Sequence, residues 1–197
     1  MRHIWAKITR RSVAVAATLA GLAAFPVCAQ TFQERLTLCL TCHGEKGQSE
    51  KPEVPSLGAQ PAFYLLIQLY MFRERQRVVE VMNDATKGLT DEELRKLADT
   101  VSKLPQPQPV EGPVDNARME GARVLIEQHR CNFCHQNLAG QENVPRLAGQ
   151  REDYLVKTLH EYKTNIRRGY DASMAEVIYP LNDAQILDLA YFIAHAR

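Results

Sequence analysis

The chain has 197 residues, with 24 Lys+Arg against 23 Asp+Glu and a formal charge of +1. That length allows one ordinary domain or two small ones. No basic block offers a footing for nucleic acid.

The first 29 residues read as a secretory signal peptide. "MRHIWAKITRR" holds Arg2, Lys7, Arg10 and Arg11 without an acid, "SVAVAATLAGLAAFPV" is uncharged, and Val27 and Ala29 are small residues at the expected cleavage point. The apolar run is short of a full membrane span. Cleavage removes four basic residues and Cys28 and leaves net −3 over Gln30–Arg197. The expected product is a soluble, periplasmic, mildly acidic chain with no transmembrane span.

The mature chain is one unit written twice. The first copy, 30–104, carries Cys39, Cys42 and His43 in "CLTCHGEKG"; the second, 114–197, carries Cys131, Cys134 and His135 in "CNFCH". In the first copy "TFQERLTLCLTC", "PAFYLLIQLYMFRER" and "TDEELRKLADTVSKL" read as helices, the last opened by a Thr90–Glu93 capping box. In the second, "NARMEGARVLIEQHR", "REDYLVKTLHEYKTNIRR" and "DAQILDLAYFIAHA" do the same, with Asn182 as N-cap of the last. The fold class is therefore all-α. Between the copies, "PQPQPVEGP" (105–113) is an extended linker or an ordered strap packed on both domains.

"VPSLGAQPAFYL" at 54–65 matches "VPRLAGQREDYL" at 144–155 at an offset of 90, while the cysteines, the histidines, and Met82 and Met174 match at 92. Histidine to methionine is 39 residues in both copies. Each copy is small for an independent core, and a large apolar prosthetic group inside it would meet the deficit.

Zinc needs its two cysteine pairs close together, but 88 residues separate them here. A thioredoxin-like pair needs a βαβ setting, which is absent. C-x-x-C-H is the attachment pattern for c-type haem, with two thioethers and an axial histidine. The two copies imply two haem c groups, one on Cys39, Cys42 and His43 and one on Cys131, Cys134 and His135. The repeat selects Met82 and Met174 as the opposite axial ligands. Met71 aligns with Glu161, and His129, His160 and His195 have no histidine counterpart in the first copy, so these stay surface or structural. Six-coordinate iron favours outer-sphere electron transfer over chemistry on a substrate.

These residues resemble class I cytochrome c domains, and two in tandem behind a signal peptide resemble the diheme cytochrome c4 type. The resemblance implies that Pro55 and Pro145 carbonyls accept the Nδ1–H of the ligating histidines. It also implies a pseudo-two-fold pair with haem propionates near the interface and Tyr64 and Tyr154 near the haems. In the family a Gly on the first helix crosses an aromatic on the last; Gly121 with Tyr191 and Phe192 keeps this, and the first copy does not. The Pro that often follows the methionine is absent from both copies. The expected function is a periplasmic shuttle between a quinol-oxidising complex and a terminal oxidase. The alternative is the cytochrome subunit of a flavin-containing sulfide or quinoprotein alcohol dehydrogenase. A diheme peroxidase is opposed by the two matched methionines.

Overall fold

The structure is a computed structural model that describes residues 30–168 and 172–197. The signal-peptide segment lies outside the described residues. Among the described residues there are nine helices and no strand, only an isolated bridge between Gln141 and Val144.

The first copy holds α1 (Phe32–His43), α2 (Ala62–Arg73), α3 (Glu80–Thr86) and α4 (Asp91–Ser102). Capping boxes open α1 (Thr31 with Glu34) and α4 (Thr90 with Glu93), each satisfying two backbone N–H groups that a helix start leaves bare. α2 stops two residues before Arg75, whose φ of 54° is left-handed. Leu36, Leu65, Leu94, Leu97 and Val101 form this copy's core. Leu94 is 1 % exposed, and full burial of such a side chain contributes roughly 1.5–3 kcal/mol.

The second copy holds α5 (Asn116–Gln128), α6 (Cys131–His135), α7 (Glu152–Lys163), α8 (Ser173–Ile178) and α9 (Asp183–His195). Asp115 caps α5 and Asn182 caps α9. α7 ends earlier than its sequence pattern, two residues before Asn165, the counterpart of Arg75 and again left-handed at φ 57°. α5 and α7 pack on α9 around Ala122, Ile126, Ile186 and Leu189. The crossing residue is Ala122, fully buried, and not Gly121, where an added Cβ would meet only Asp188 Oδ2 at 3.9 Å. Tyr191 instead lies under Arg118, and its hydroxyl oxygen accepts the Asp115 N–H. In the first copy α1 reaches the core through Leu36 and pairs with no helix as closely as α5 does with α9.

Residues 105–113 run across both copies. Gln108 exchanges two backbone–amide hydrogen bonds with Gln48, and Val110 N–H donates to the Ala194 carbonyl. The fit is tight: a Cβ on Gly58 would lie 1.9 Å from the Pro105 carbonyl oxygen.

The copies dock through one motif used twice. The Gln60 carboxamide donates to the Arg146 carbonyl (2.8 Å) and accepts from the Arg146 N–H (3.0 Å). Gln150, ninety residues on, donates to the Ser56 carbonyl (2.9 Å) and accepts from the Ser56 N–H (2.8 Å). Both glutamines are 5 % exposed. The reciprocity is that of an isologous dimer contained in one chain.

Candidate functional site

Each C-x-x-C-H run lies on a helix, so the two cysteines, three residues apart, share a face. In the first copy α1 continues unbroken through Cys39, Cys42 and His43. In the second α5 stops, Arg130 turns left-handed at φ 52°, and a single turn, α6, presents Cys131, Cys134 and His135. None of these four cysteines pairs in a disulfide, and burial pushes the Cys39 and Cys131 sulfhydryls up.

His43 and His135 are buried at 6 % and 4 % exposure. Their Nδ1 atoms lie 2.8 Å from the Pro55 carbonyl oxygen and 2.9 Å from that of Pro145. A carbonyl only accepts, so each Nδ1 carries the proton and each Nε2 keeps a free lone pair. Burial pulls both imidazoles below their ordinary pKa, against the opposing carbonyl bond, and favours the neutral, metal-ligating form.

Met82 lies on α3 and Met174 on α8, two short helices that the sequence pattern does not reveal. One cavity between the copies is bordered by His43, Met82, His135 and Met174. A second, mostly in the second copy but closed by Tyr64, Ile67 and Gln68 of the first, is bordered by Cys131, Cys134, His135 and Met174, and also by His129. Cys39 and Cys42 line neither; Cys42 Sγ instead lies 3.5 Å from Lys51 Nζ. Met71 is buried in the first copy, His160 faces Asp183, and His195 bonds to the Tyr191 carbonyl.

The Met82 loop is pinned by its neighbour. Asn83, 3 % exposed, donates to the Phe72 and Arg77 carbonyls (2.6 and 2.9 Å) and accepts the Val79 N–H (2.8 Å). Thr86 Oγ1 donates to the Met82 carbonyl at 2.9 Å. The side chain of Asn83 thus supplies rigidity that the missing proline would otherwise give. Its counterpart in the second copy, Ala175, has no side chain able to do so.

Sequence reasoning missed Arg77 and Arg167, although they too are ninety residues apart. Arg77 donates to Gln68 Oε1 and to the Tyr154 hydroxyl of the other copy; Arg167 donates to Thr158, Tyr154 and, across the interface, Tyr64. Arg167 is 6 % exposed. No carboxylate of the described residues pairs with either guanidinium. Burial pushes the Tyr154 hydroxyl up, but Arg167 and Arg77 outweigh it and bring it down to about 7. Nearby, Arg146 Nε is buried without a hydrogen-bond partner, and burial pulls its pKa down. A buried cation without a counter-ion is strongly unfavourable. A cavity with apolar walls, two Nε2 donors, two thioethers and three under-neutralised guanidinium groups fits an apolar metal macrocycle bearing carboxylates, which is what haem is.

No family model matches the chain. Cytochrome c4 of Thiocapsa roseopersicina is 31 % identical over 138 residues, covering 66 % of this chain and 71 % of that protein. A thiosulfate dehydrogenase electron acceptor of Stutzerimonas stutzeri strain A1501 is 27 % identical over 168 residues, covering 80 % of this chain and 78 % of that protein. Among solved structures, reduced recombinant cytochrome c4 from Pseudomonas stutzeri matches with a TM-score of 0.75 at 25 % identity, over 84 % of this chain and 97 % of that one.

Proposed function

The chain belongs to the cytochrome c4 family of diheme electron carriers with two covalently attached haem c groups, and from that premise we propose that it shuttles electrons in the periplasm between respiratory partners. Cys39, Cys42, His43 and Met82 would hold the first haem, and Cys131, Cys134, His135 and Met174 the second. The observation that carries this reading is the repeated pairing of a buried histidine, fixed by a proline carbonyl, with a methionine on the same cavity. The domains are 30–104 and 114–197, joined by 105–113, behind a cleaved signal peptide at 1–29.

When bound, the haems supply one-electron couples. The protein fixes each imidazole in the Nδ1–H tautomer, which leaves Nε2 as the atom that would hold the metal. The Met82 and Met174 thioethers would be the second protein donors to the two irons and would raise the potential relative to a second histidine. Arg77, Arg167 and Arg146 would provide positive charge for the haem carboxylates to neutralise. Among the described residues no helix is long and apolar enough to cross a membrane.

The test is the visible spectrum of the purified protein, oxidised and reduced. Two thioether-linked haems per chain and a weak far-red methionine-to-iron band are expected. Met82→Ala and Met174→Ala should each remove part of that band, and His129→Ala should leave it intact. A band lost with only one of the two methionine variants overturns the matched ligation. A second reading, the electron acceptor of a dehydrogenase, is favoured by the likeness to the thiosulfate dehydrogenase electron acceptor. Co-purification with a dehydrogenase selects it; an isolable monomer with two reversible redox waves selects the respiratory shuttle, whose expected partners are a quinol-oxidising complex and a terminal oxidase.

A further inference from the structure

The clasp between the copies ends on the peptides that orient the histidines. Pro55 C=O and Ser56 N–H belong to one peptide unit. Its carbonyl accepts from His43 Nδ1–H, and its N–H donates to Gln150 Oε1. Likewise Pro145 C=O accepts from His135 Nδ1–H, while Arg146 N–H donates to Gln60 Oε1. Each chain of bonds therefore starts on a glutamine of one copy and ends on the histidine of the other.

We propose that Gln150 and Gln60 are crossed positioning residues: each sets, through two hydrogen bonds in series, the basicity and orientation of the axial histidine in the opposite domain. The inference rests on the ligation reading above. Hydrogen bonds in a chain polarise one another. When the Ser56 N–H donates to Gln150, electron density shifts toward the Pro55 oxygen of the same peptide. That oxygen becomes a stronger acceptor, which gives His43 more imidazolate character. A more basic axial imidazole stabilises oxidised iron. The amide's second contact, Nε2 to the Ser56 or Arg146 carbonyl of the next peptide unit, holds the glutamine in place so that the relay keeps its geometry. Four backbone groups are satisfied this way, those of Ser56 buried and those of Arg146 partly buried, and low polarity strengthens such bonds.

A role confined to docking the domains would not respect the crossing. Replacing Gln150 with Met removes the relay to His43 and leaves that to His135. The His43 Nδ1–H resonance of the reduced holoprotein should move upfield, and the His135 resonance should stay. The haem on His43 should become easier to reduce, shifting the distribution of one electron between the two haems at least twofold, or about 18 mV at 59 mV per tenfold. Gln60→Met should do the reverse, acting on His135. Gln150→Glu keeps the shape and a stronger acceptor for the Ser56 N–H, so it should move the His43 resonance downfield; it also carries the test if the Met variant does not fold. Shifts on the variant's own domain, equal shifts on both, or the same sign for Met and Glu overturn the proposal. If the wild-type holoprotein shows no ring-shifted His43 Nδ1–H, the ligation reading fails and the proposal with it. If that resonance is present but unmoved in Gln150→Met, the proposal alone fails.

Discussion

Asn83→Ala isolates what one side chain does for the Met82 loop. The substitution removes three hydrogen bonds, to Val79 N–H, Phe72 C=O and Arg77 C=O. Phe72 C=O keeps a partner, the N–H of Arg75 at 3.1 Å. Val79 N–H and Arg77 C=O do not, and Val79 is the N-cap of α3, which has no other side-chain cap. Leaving a fully buried polar group without a partner costs roughly 1–3 kcal/mol; these two groups are only partly buried, so together they give a loss of about 1–3 kcal/mol. The same loop carries Met82 and Arg77, so the loss should appear first as opening of that loop. Two measurements check this: chemical denaturation of the holoprotein, and amide exchange at Val79, Met82 and Asn83. With Met82 as ligand, the far-red band should fall by about half on mild warming while the Met174 contribution persists. A stability loss under about 0.5 kcal/mol with unchanged exchange at Val79 would refute the argument.

Three further outcomes are expected at places where the copies differ or grip one another. Ala59 has φ 53°, and its counterpart Gly149 has φ 71°. A left-handed conformation costs a non-glycine residue about 1–2 kcal/mol, partly offset by glycine's backbone entropy, so Ala59→Gly should raise stability by about 0.5–1 kcal/mol in denaturation, and a decrease would contradict this. Asp153 is held below its usual 3.8 by Arg151 first, against burial, and by the N–H groups of Glu53 and Tyr154. A depressed carboxyl stabilises above its unfolded value, and that contribution disappears as pH falls below 3.8. The protection of the Glu53 amide, its exchange rate relative to the intrinsic rate at the same pH, should therefore fall at low pH and in Asp153→Asn at neutral pH, since that amide bridges the copies to Asp153; equal protection throughout would count against the linkage. Arg146→Ser places in the second copy the residue that the first copy has at Ser56. With His135 as the proposed ligand, loss of a nearby positive charge should lower the potential of the second haem relative to the first, and redox titration showing no change would remove Arg146 from the site.

The helices legible in the sequence share two properties. They are twelve or thirteen residues long, as in α2, α4, α5, α7 and α9, and several open on a readable cap, Thr90 or Asn182. α3 and α8, with seven and six residues, are too short for a 3.6-residue period to show, yet they carry Met82 and Met174. The break between α5 and α6 is invisible in the sequence because Arg130 takes a left-handed conformation without being glycine. The histidines and methionines can be picked out because the repeat aligns them. Gln60, Gln150, Arg77 and Arg167 also recur at a fixed offset, but their contacts run between copies, and one sequence carries no signal for which distant residues meet. Gly121 is one residue away from the true α5–α9 crossing, since a family pattern specifies a small residue there and Ala122 is equally able to be it.

The interface is symmetric where it docks and asymmetric where it touches the metal sites. The glutamine clasps, the crossed Arg–Tyr bonds and the stacking of Arg77 on Phe72 and Arg167 on Tyr162 all repeat at ninety residues. A motif that carries both the gripping glutamine and the gripped peptide is self-complementary, so duplicating it produces a docked pair without a new surface. Differences then accumulate at Ser56 against Arg146, Asn83 against Ala175, and in the Tyr64 N–H bond to the Glu142 carbonyl, for which Tyr154 uses Asp153 instead. The first substitution changes charge and the second changes loop stiffness, while neither alters the clasp. Two haems held in one rigid frame can in this way acquire different potentials without losing the fixed separation that electron transfer between them requires.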